Sequence, residues 1–251
     1  MADRGQAEVL GYLLVFSLIV LAVAMVTVSG QAGLADLRDD QRTTNAERGF
    51  AVLADNVDDV VRGVPSRATE LELSGEQLSL GEPVTVNVTA TNSSGVVFER
   101  VWSIRPVVFR APDGAALVYE SGAVVRRGER GGAVVVREPR WVLSENRTVL
   151  PVVNTTRDSR GFRGNPASVD RESRVLVRTE RRAREVVAAS EQRVTLTITV
   201  DSPRAAAWEP FLERAIDPDT DVCSSGGGTV SCSYATDHAT VVGSRIAVGF
   251  E

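Results

Sequence analysis

Residues 9–28 read VLGYLLVFSLIVLAVAMVTV, a run of twenty residues without a charged side chain. As an α-helix with a rise of about 1.5 Å per residue, this run would extend about 30 Å, the thickness of a bilayer core. A removable signal peptide is the competing interpretation, although its apolar region is usually only about 7–15 residues long. The run therefore favours a retained membrane helix with the lipid bilayer as its partner.

Beyond the apolar run, the chain becomes amphipathic. Apolar residues then recur three or four positions apart, the spacing of one helix face: Leu34, Leu37, Phe50, Leu53, Val57, Val60 and Val61. Charged residues such as Asp55, Asp58 and Asp59 fall between them and are expected on the solvent side. Gly63 and Pro65 are expected to end this second half of the helix.

From about residue 69 the periodicity changes to the alternation of half-buried strands. It is clearest at residues 84–88 and 194–200, and shorter apolar runs recur between turn signals such as Pro112-Asp113-Gly114. Many short strands at even spacing predict a sandwich or another sheet-rich domain. The predicted fold class is α+β: a long N-terminal helix, membrane span plus amphipathic half, followed by a β-rich, sandwich-like head.

Two segments interrupt the strand pattern. Residues 157–174 lack periodicity and are rich in Arg, Asp, Ser and Gly, which predicts an exposed loop. Ser202-Pro203 resembles a helix N-cap followed by proline at the first helical position. A short helix carrying Trp208 and Phe211 is expected after it, and Pro210 should limit or kink this helix.

Composition excludes several classes of function. All 28 basic residues are arginine and the formal net charge is −5, which argues against a nucleic-acid binder held by a basic excess. One His and two Cys cannot supply a four-ligand Cys/His zinc site. Motifs for acyl hydrolysis, nucleotide binding and zinc proteolysis are missing, so neither catalysis nor a cofactor is expected. The skew from lysine to arginine resembles that of salt-loving archaea.

Cysteine and asparagine motifs favour an oxidising exterior. Cys223 and Cys232 enclose the flexible segment SSGGGTVS and are expected to form a disulfide. Four N-x-S/T sequons predict glycosylation; their asparagines are Asn87, Asn92, Asn146 and Asn154. Together these motifs predict a single-pass cell-membrane protein with a cytoplasmic N-terminus and an extracellular C-terminal domain.

Charged clusters offer further candidate sites. Arg178, Arg181, Arg182 and Arg184 could grip an anion, although interleaved glutamates and missing aromatics argue against nucleic acid. Asp217, Asp219 and Asp221 alternate as at the start of a calcium loop, but the turn glycine and the final glutamate of such a loop are missing, which favours an acidic turn. Residues 126–193 are rich in arginine and residues 194–251 in acids, so the two segments could pair within one head or between subunits.

The stretch Arg4-Gly5-Gln6-Ala7-Glu8, followed directly by the apolar run, resembles the class III signal of archaeal type IV pilins. The resemblance implies that a prepilin peptidase cuts between Gly5 and Gln6. It also implies an assembly role for Glu8, which would be the third mature residue, whereas bacterial pilins carry their glutamate at the fifth. An ordinary N-terminal anchor with a short cytosolic stub is the alternative. The rest of the chain resembles haloarchaeal envelope proteins without an assigned activity.

These observations divide the chain into a leader at 1–5, a transmembrane helix at 6–30, an amphipathic helix at 31–64 and an extracellular β-rich domain at 65–251. The predicted function is that of a membrane-anchored pilin-like structural subunit or minor pilin of the archaeal cell surface. Its partners would be the prepilin peptidase, the pilus assembly machinery and other pilin-like subunits. The alternative is an unprocessed single-span envelope protein whose β-sandwich binds a ligand.

Overall fold

The structure is a computed structural model that describes residues 3–73, 75–129, 131–158, 168–170, 174–190, 192–216 and 223–251. The chain divides into two compact units, Met1–Asn45 and Ala46–Glu251. The elements in chain order are α1 (Asp3–Arg62), β1 (Ser66–Glu72), β2 (Gln77–Leu80), β3 (Val84–Asn92), β4 (Gly95–Ile104), β5 (Val107–Arg110), β6 (Ala116–Glu120), β7 (Ala123–Arg127), β8 (Ala133–Arg137), β9 (Thr148–Arg157), β10 (Ser168–Asp170), β11 (Arg174–Ser190), β12 (Val194–Asp201), α2 (Ala205–Ile216), β13 (Cys223–Gly226), β14 (Thr229–Thr236) and β15 (Ala239–Phe250).

Three sheets make up most of the second unit. The four-stranded sheet has the order β1-β11-β15-β9, the six-stranded sheet β10-β2-β5-β6-β7-β8 and the five-stranded sheet β13-β14-β12-β3-β4. The pairs are antiparallel except β15 with β9, which run parallel. The long strand β11 bulges twice against β15, between Arg181 and Ala183 and between Val186 and Ala188. Such bulges bend a strand and increase its twist.

Two apolar clusters form the core of the second unit. One lies under the five-stranded sheet, where the inward residues of β3 and β12 meet Trp141 and the helix α2. The other surrounds the C-terminal part of α1 and draws its residues from strands of the six-stranded and four-stranded sheets. Strands β9 and β15 contribute to both clusters, with Leu150 and Val241 in the first and Val153 and Ile246 in the second.

The helix α1 ends at Arg62, just before Gly63 and Pro65, two residue types that are unfavourable in a helix. The N–H groups of Gly63 and Val64 both donate to the carbonyl of Asp59, at 3.1 and 3.0 Å, and so close the last turn. Gly63 has a φ of 147°, a conformation that other residues rarely adopt, and Pro65 cannot continue a helix. The strand β1 follows directly at Ser66.

The helix α2 begins after the Ser202-Pro203 pair. The Ser202 hydroxyl accepts a hydrogen bond from the N–H of Arg204 at 3.1 Å, the contact expected of an N-cap side chain. Trp208 and Phe211 are buried and pack with Trp141, with ring centroids 5.2 to 6.1 Å apart. Pro210 lies within this helix without ending it.

The predicted fold class, an α+β protein with a membrane-spanning helix before a β-rich head, is wrong. The structure is mostly β, with three sheets and a sandwich-like character. Hydrophobic periodicity reports on single segments, whereas the fold class depends on how many strands long-range pairing assembles into sheets.

The prediction of a single-pass membrane location, with a span at residues 6–30, is also wrong. Among the residues that the structure describes, none of the helices combines the length and the apolar character needed to cross a membrane.

Other sequence expectations differ in detail. The segment 157–174, predicted as a loop, contains β10 at its far end, and residues 159–167 and 171–173 lie outside the described part of the chain. One of the shorter apolar runs, residues 141–143, was expected as a strand but makes only an isolated bridge between Val142 and Val149.

Candidate functional site

The junction between α1 and the β-rich unit is the first notable site. Phe50, Leu53, Val57 and Val60 recur on one face of the helix and are all buried. They share a cluster with inward residues of β1, β11 and β15. The amphipathic spacing of this helix therefore has a direct consequence: one face is fixed in the core of the second unit.

Ion pairs hold the same helix on the other side. We call Asp55, Asp58, Arg137 and Arg140 the helix clamp. The Arg137 guanidinium donates to Asp55 at 2.7 Å, to Asp58 at 3.2 Å and to the carbonyl of Ala51 at 3.1 Å. Arg140 donates to Asp58 at 2.6 Å. Charge-assisted bonds of this kind are about twice as strong as neutral ones.

The clamp shifts the pKa values of Asp55 and Arg137. The hydrogen bond from Arg137 lowers the pKa of Asp55 below its usual value, and the same bond raises the pKa of Arg137. Outside the clamp, hydrogen bonds from Arg62 and Arg67 lower the pKa of Asp59. These carboxylates therefore stay ionised under ordinary conditions and act as fixed negative charges.

Further arginines contact α1 at both ends of its docked part, by which we mean residues 46–62 in the second unit. Arg126 on β7 pairs with Glu47 at 2.8 Å. Arg181 on β11 donates to the carbonyls of Val60 and Gly63 at 3.3 and 3.4 Å. The two bonds from Arg181 satisfy carbonyls that a helix end leaves without partners. They also place a positive charge at the negative end of the helix dipole.

A second polar site lies wholly inside the β-rich unit. Glu120, at the tip of the β6–β7 hairpin, is completely buried. Its carboxylate accepts hydrogen bonds from Arg204 Nε at 2.7 Å and Trp208 Nε1 at 3.0 Å, and a longer one from Ser202 Oγ at 3.3 Å. Because every donor sits in or just before α2, this buried carboxylate site fixes the helix to the hairpin.

The first unit presents the opposite kind of surface. In the apolar segment, which we define as residues 11–27, the large side chains are exposed by half or more. They are Tyr12, Leu13, Leu14, Val15, Phe16, Leu18, Ile19, Val20, Leu21, Val23, Met25 and Val26. Contiguous apolar surface of this kind marks an interaction site.

The predicted processing site lies at the start of α1. The structure places Gly5, Gln6 and Glu8 within this helix, but it does not describe their side chains. Cleavage after Gly5 and an assembly role for Glu8 therefore stay predictions.

Cys223 and Cys232 are joined by a disulfide, with a separation of 2.02 Å between their sulfur atoms. They face each other directly across the β13–β14 hairpin, whose turn is formed around Gly227 and Gly228. The SSGGGTVS segment thus folds back on itself, and the bond holds the short edge strand β13 to the sheet.

The four sequons lie in different settings. Asn92 and Asn146 are exposed, the first at the β3–β4 turn and the second in the loop before β9. Asn87 and Asn154 lie within β3 and β9 and are half-buried. Glycosylation at any of them stays a prediction.

Most of the arginine cluster on β11 is used within the chain. Arg178 donates to Glu251 at 2.8 Å, and Arg182 donates to Glu180 at 2.7 Å and Asp158 at 2.8 Å. Arg181 caps α1, as described above. Three of the four candidate anion ligands therefore already have carboxylate or carbonyl partners.

Pairing also occurs between the arginine-rich and acid-rich segments of the same chain. Arg193 pairs with Asp237 at 2.8 Å, and Arg178 pairs with the final residue, Glu251. The acidic triplet at 217–221, considered for calcium, lies outside the described residues. No group of three or more potential metal ligands occurs in the described ranges.

Sequence reasoning missed the two polar sites because their members are distant in the chain. Asp58 was expected in solvent, yet its side chain is only 11% exposed because Arg137 and Arg140 cover it. Glu120 is the only charged residue in the stretch 116–125, and that charge is the one signal that could have marked it. Its partner Arg204 lies 84 positions away.

Comparison with known families identifies a group but no activity. Residues 4–249 match the family described as "Family of unknown function (DUF7289)". The chain belongs to this family. This DUF7289 protein is also 29% identical over 119 residues to an uncharacterized protein of Archaeoglobus fulgidus, a match that covers 45% of the chain. The chain spans 39% of that relative's length. No solved structure matches the chain.

Proposed function

We propose that the protein is a structural subunit of a pilin-like assembly, in which the apolar segment of one copy packs against the same segment of other copies. The observation that carries this proposal is the row of exposed apolar side chains along residues 11–27. Burying one such side chain contributes about 1.5–3 kcal/mol, so a packed bundle of these helices would be strongly favoured over isolated chains in water.

The way α1 is held in the second unit supports the same role. Its C-terminal part is fixed within the second unit by buried apolar residues and by the helix clamp. A subunit that assembles through one end of a helix needs such an anchorage, because otherwise the helix would be pulled out of its own domain. An enzyme has no comparable need.

The geometry of assembly follows from the position of the segment. Residues 11–27 form one continuous helical surface, so a copy can meet neighbours on several sides. Contacts between different faces of identical copies give a filament when the rotation between copies does not close into a ring, and that open arrangement is the one proposed here. Removal of residues 1–5 by a prepilin peptidase belongs to the proposal and would precede assembly.

The first experiment measures the size of the full-length protein by sedimentation and inspects it by electron microscopy. Wild-type chains should form large, regular assemblies. The double variant L14Q/L18Q should remain monomeric, since both side chains are exposed and their replacement leaves the core intact. V52Q, at an exposed position of the docked part of α1, is the matched control and should assemble like the wild type. A monomeric wild-type protein would contradict the proposal and leave the β-rich unit as a binding module.

A second measurement tests processing separately. N-terminal peptides of the protein isolated from its native producer are sequenced by mass spectrometry. A terminus at Gln6 supports entry into a pilin pathway. A terminus at Met1 or Ala2 argues against it, whatever the assembly state.

A further inference from the structure

The four sequons differ in what the folded chain offers to a glycosyl-transferring enzyme. We propose that Asn92 is the N-glycosylation site of the folded protein and that Asn87, Asn146 and Asn154 are not modified. The proposal is independent of the assembly role, because it rests on the β-rich unit alone.

Asn92, Ser93 and Ser94 form the turn between β3 and β4, and all three residues are exposed. The Ser94 N–H donates to the Asn92 Oδ1 at 2.8 Å. This bond fixes the carboxamide through its oxygen and leaves the nitrogen Nδ2, the atom that is glycosylated, unused by the turn. The asparagine and the hydroxyl residue of this sequon are therefore both accessible.

Asn87 and Asn154 lie within strands and are half-buried. The Oδ1 atoms of both are buried and accept no hydrogen bond from the described part of the chain. The Asn87 Nδ2 also donates to Glu99 at 3.3 Å. Both asparagines thus lie in paired strands rather than in an exposed turn, so their sequons are presented less openly than that of Asn92.

Asn146 is exposed, but the third residue of its sequon is not. Thr148 is completely buried, and its hydroxyl bonds to the hydroxyl groups of Tyr234 at 2.7 Å and Thr236 at 3.2 Å. An enzyme that reads the sequon hydroxyl cannot reach this one without disrupting the network. The sequon of Asn146 therefore exposes its asparagine but not the threonine hydroxyl that the enzyme must read.

The reaction needs a saccharide donor of the lipid-phosphate class. A bond forms between Asn92 Nδ2 and the anomeric carbon of the sugar, and the bond from that carbon to the phosphate oxygen breaks. The lipid phosphate leaves with the electron pair of the broken bond, and the nitrogen loses one proton. No oxidation or reduction takes place.

Peptide mass spectrometry on the protein from its native producer tests the proposal. Cleavage after arginine yields 68–100, 141–147 and 148–157, which separate Asn146 and Asn154 from the other two sequons. The first peptide should carry added mass, and the other two should not. Because 68–100 contains both Asn87 and Asn92, variants must assign the site.

Two variants should abolish the added mass completely, namely N92Q and S94A. Two matched controls should retain it, namely N87Q and S94T, the second of which preserves the sequon. S94A keeps the backbone N–H that bonds to Asn92, so its effect reports recognition of the hydroxyl rather than loss of the turn. Absence of added mass on 68–100, its persistence in N92Q, or added mass on either other peptide would each overturn the proposal.

Discussion

Arg140 Nε donates to Asp58 Oδ2 at 2.6 Å, although 82 positions separate the two residues in the chain. This contact joins the long N-terminal helix to the segment that follows β8, and Arg137 shares the same carboxylate oxygen at 3.2 Å. One carboxylate thus receives two arginines in a half-enclosed site. The next residue, Asp59, is more exposed and pairs instead with Arg62 and Arg67.

The adjacent aspartates give a matched pair of variants. D58N should lower the free energy of unfolding by about 2 kcal/mol, because two charge-assisted hydrogen bonds weaken and the Arg137 guanidinium, 23% exposed, loses a partner. D59N should cost clearly less than D58N, as expected of an exposed ion pair. Urea denaturation of the full-length protein measures both. Equal losses would show that the clamp is no stronger than a surface pair.

Glu120 should be the most sensitive carboxylate in the described chain. E120Q leaves the Arg204 charge without its buried partner, and such a change typically costs about 3–5 kcal/mol. The control is E138Q, since Glu138 forms an exposed pair with Arg214 and its loss should cost at most about 1 kcal/mol. Thermal unfolding followed by tryptophan fluorescence is suitable, because Trp208 bonds to the same carboxylate. An unchanged unfolding temperature in E120Q would contradict the assigned role.

The disulfide should contribute modestly to stability. Closing a loop of this length constrains the unfolded chain by about 2–3 kcal/mol. The double variant C223S/C232S should therefore unfold at lower denaturant concentration, and addition of a reductant should have the same effect on the wild type but none on the variant. A reductant-insensitive wild-type protein would mean that the bond does not form or does not contribute.

Alkaline pH should destabilise the protein through its buried tyrosines. Burial raises the pKa of Tyr234 to about 12, against the opposing effect of its hydrogen bond with Thr148. The unfolded chain ionises near pH 10, so between pH 10 and 12 the unfolded state loses a proton that the folded state keeps. The free energy of unfolding should therefore fall by at most about 1.4 kcal/mol per pH unit for this residue.

Tyr119 adds to the same trend, because burial raises its pKa as well. In Y234F the fall in stability between pH 9 and pH 11 should be smaller than in the wild type, and the contribution of Tyr119 should remain. Denaturation midpoints at the two pH values measure this. An identical pH dependence in Y234F would rule out the assigned environment of Tyr234.

The sequence predicted local structure better than it predicted long-range contacts. The alternation of apolar and polar residues predicted the strands around Val86 and Ile198. A half-buried strand can be recognised in this way because every second side chain faces the core. The parallel pairing of β9 with β15 and the 79-position contact from Arg137 to Asp58 leave no such local trace. The composition of the apolar run predicted a membrane span, but no helix in the described part of the chain is long and apolar enough to cross a membrane.

Of the candidate site residues, the arginines on β11 show the same difficulty. Their clustering suggested an anion ligand, but a charge cluster in sequence does not reveal which carboxylates the fold brings beside it. Arg178 meets Glu251, 73 positions away, and Arg182 meets Asp158. Only the three-dimensional pairing separates a binding site from an internal ion pair.

Site-directed cross-linking tests the assembly proposal most directly. V20C and V52C place one new cysteine each on α1, at valines that are 51% and 52% exposed, so they differ in location but not in accessibility. The native cysteines are already paired. After mild oxidation of the full-length protein in its native producer, V20C should yield disulfide-linked dimers on a non-reducing gel, whereas V52C and the wild type should show no cross-linked dimer. Equal cross-linking at both positions, or none at position 20, would contradict packing through the apolar segment.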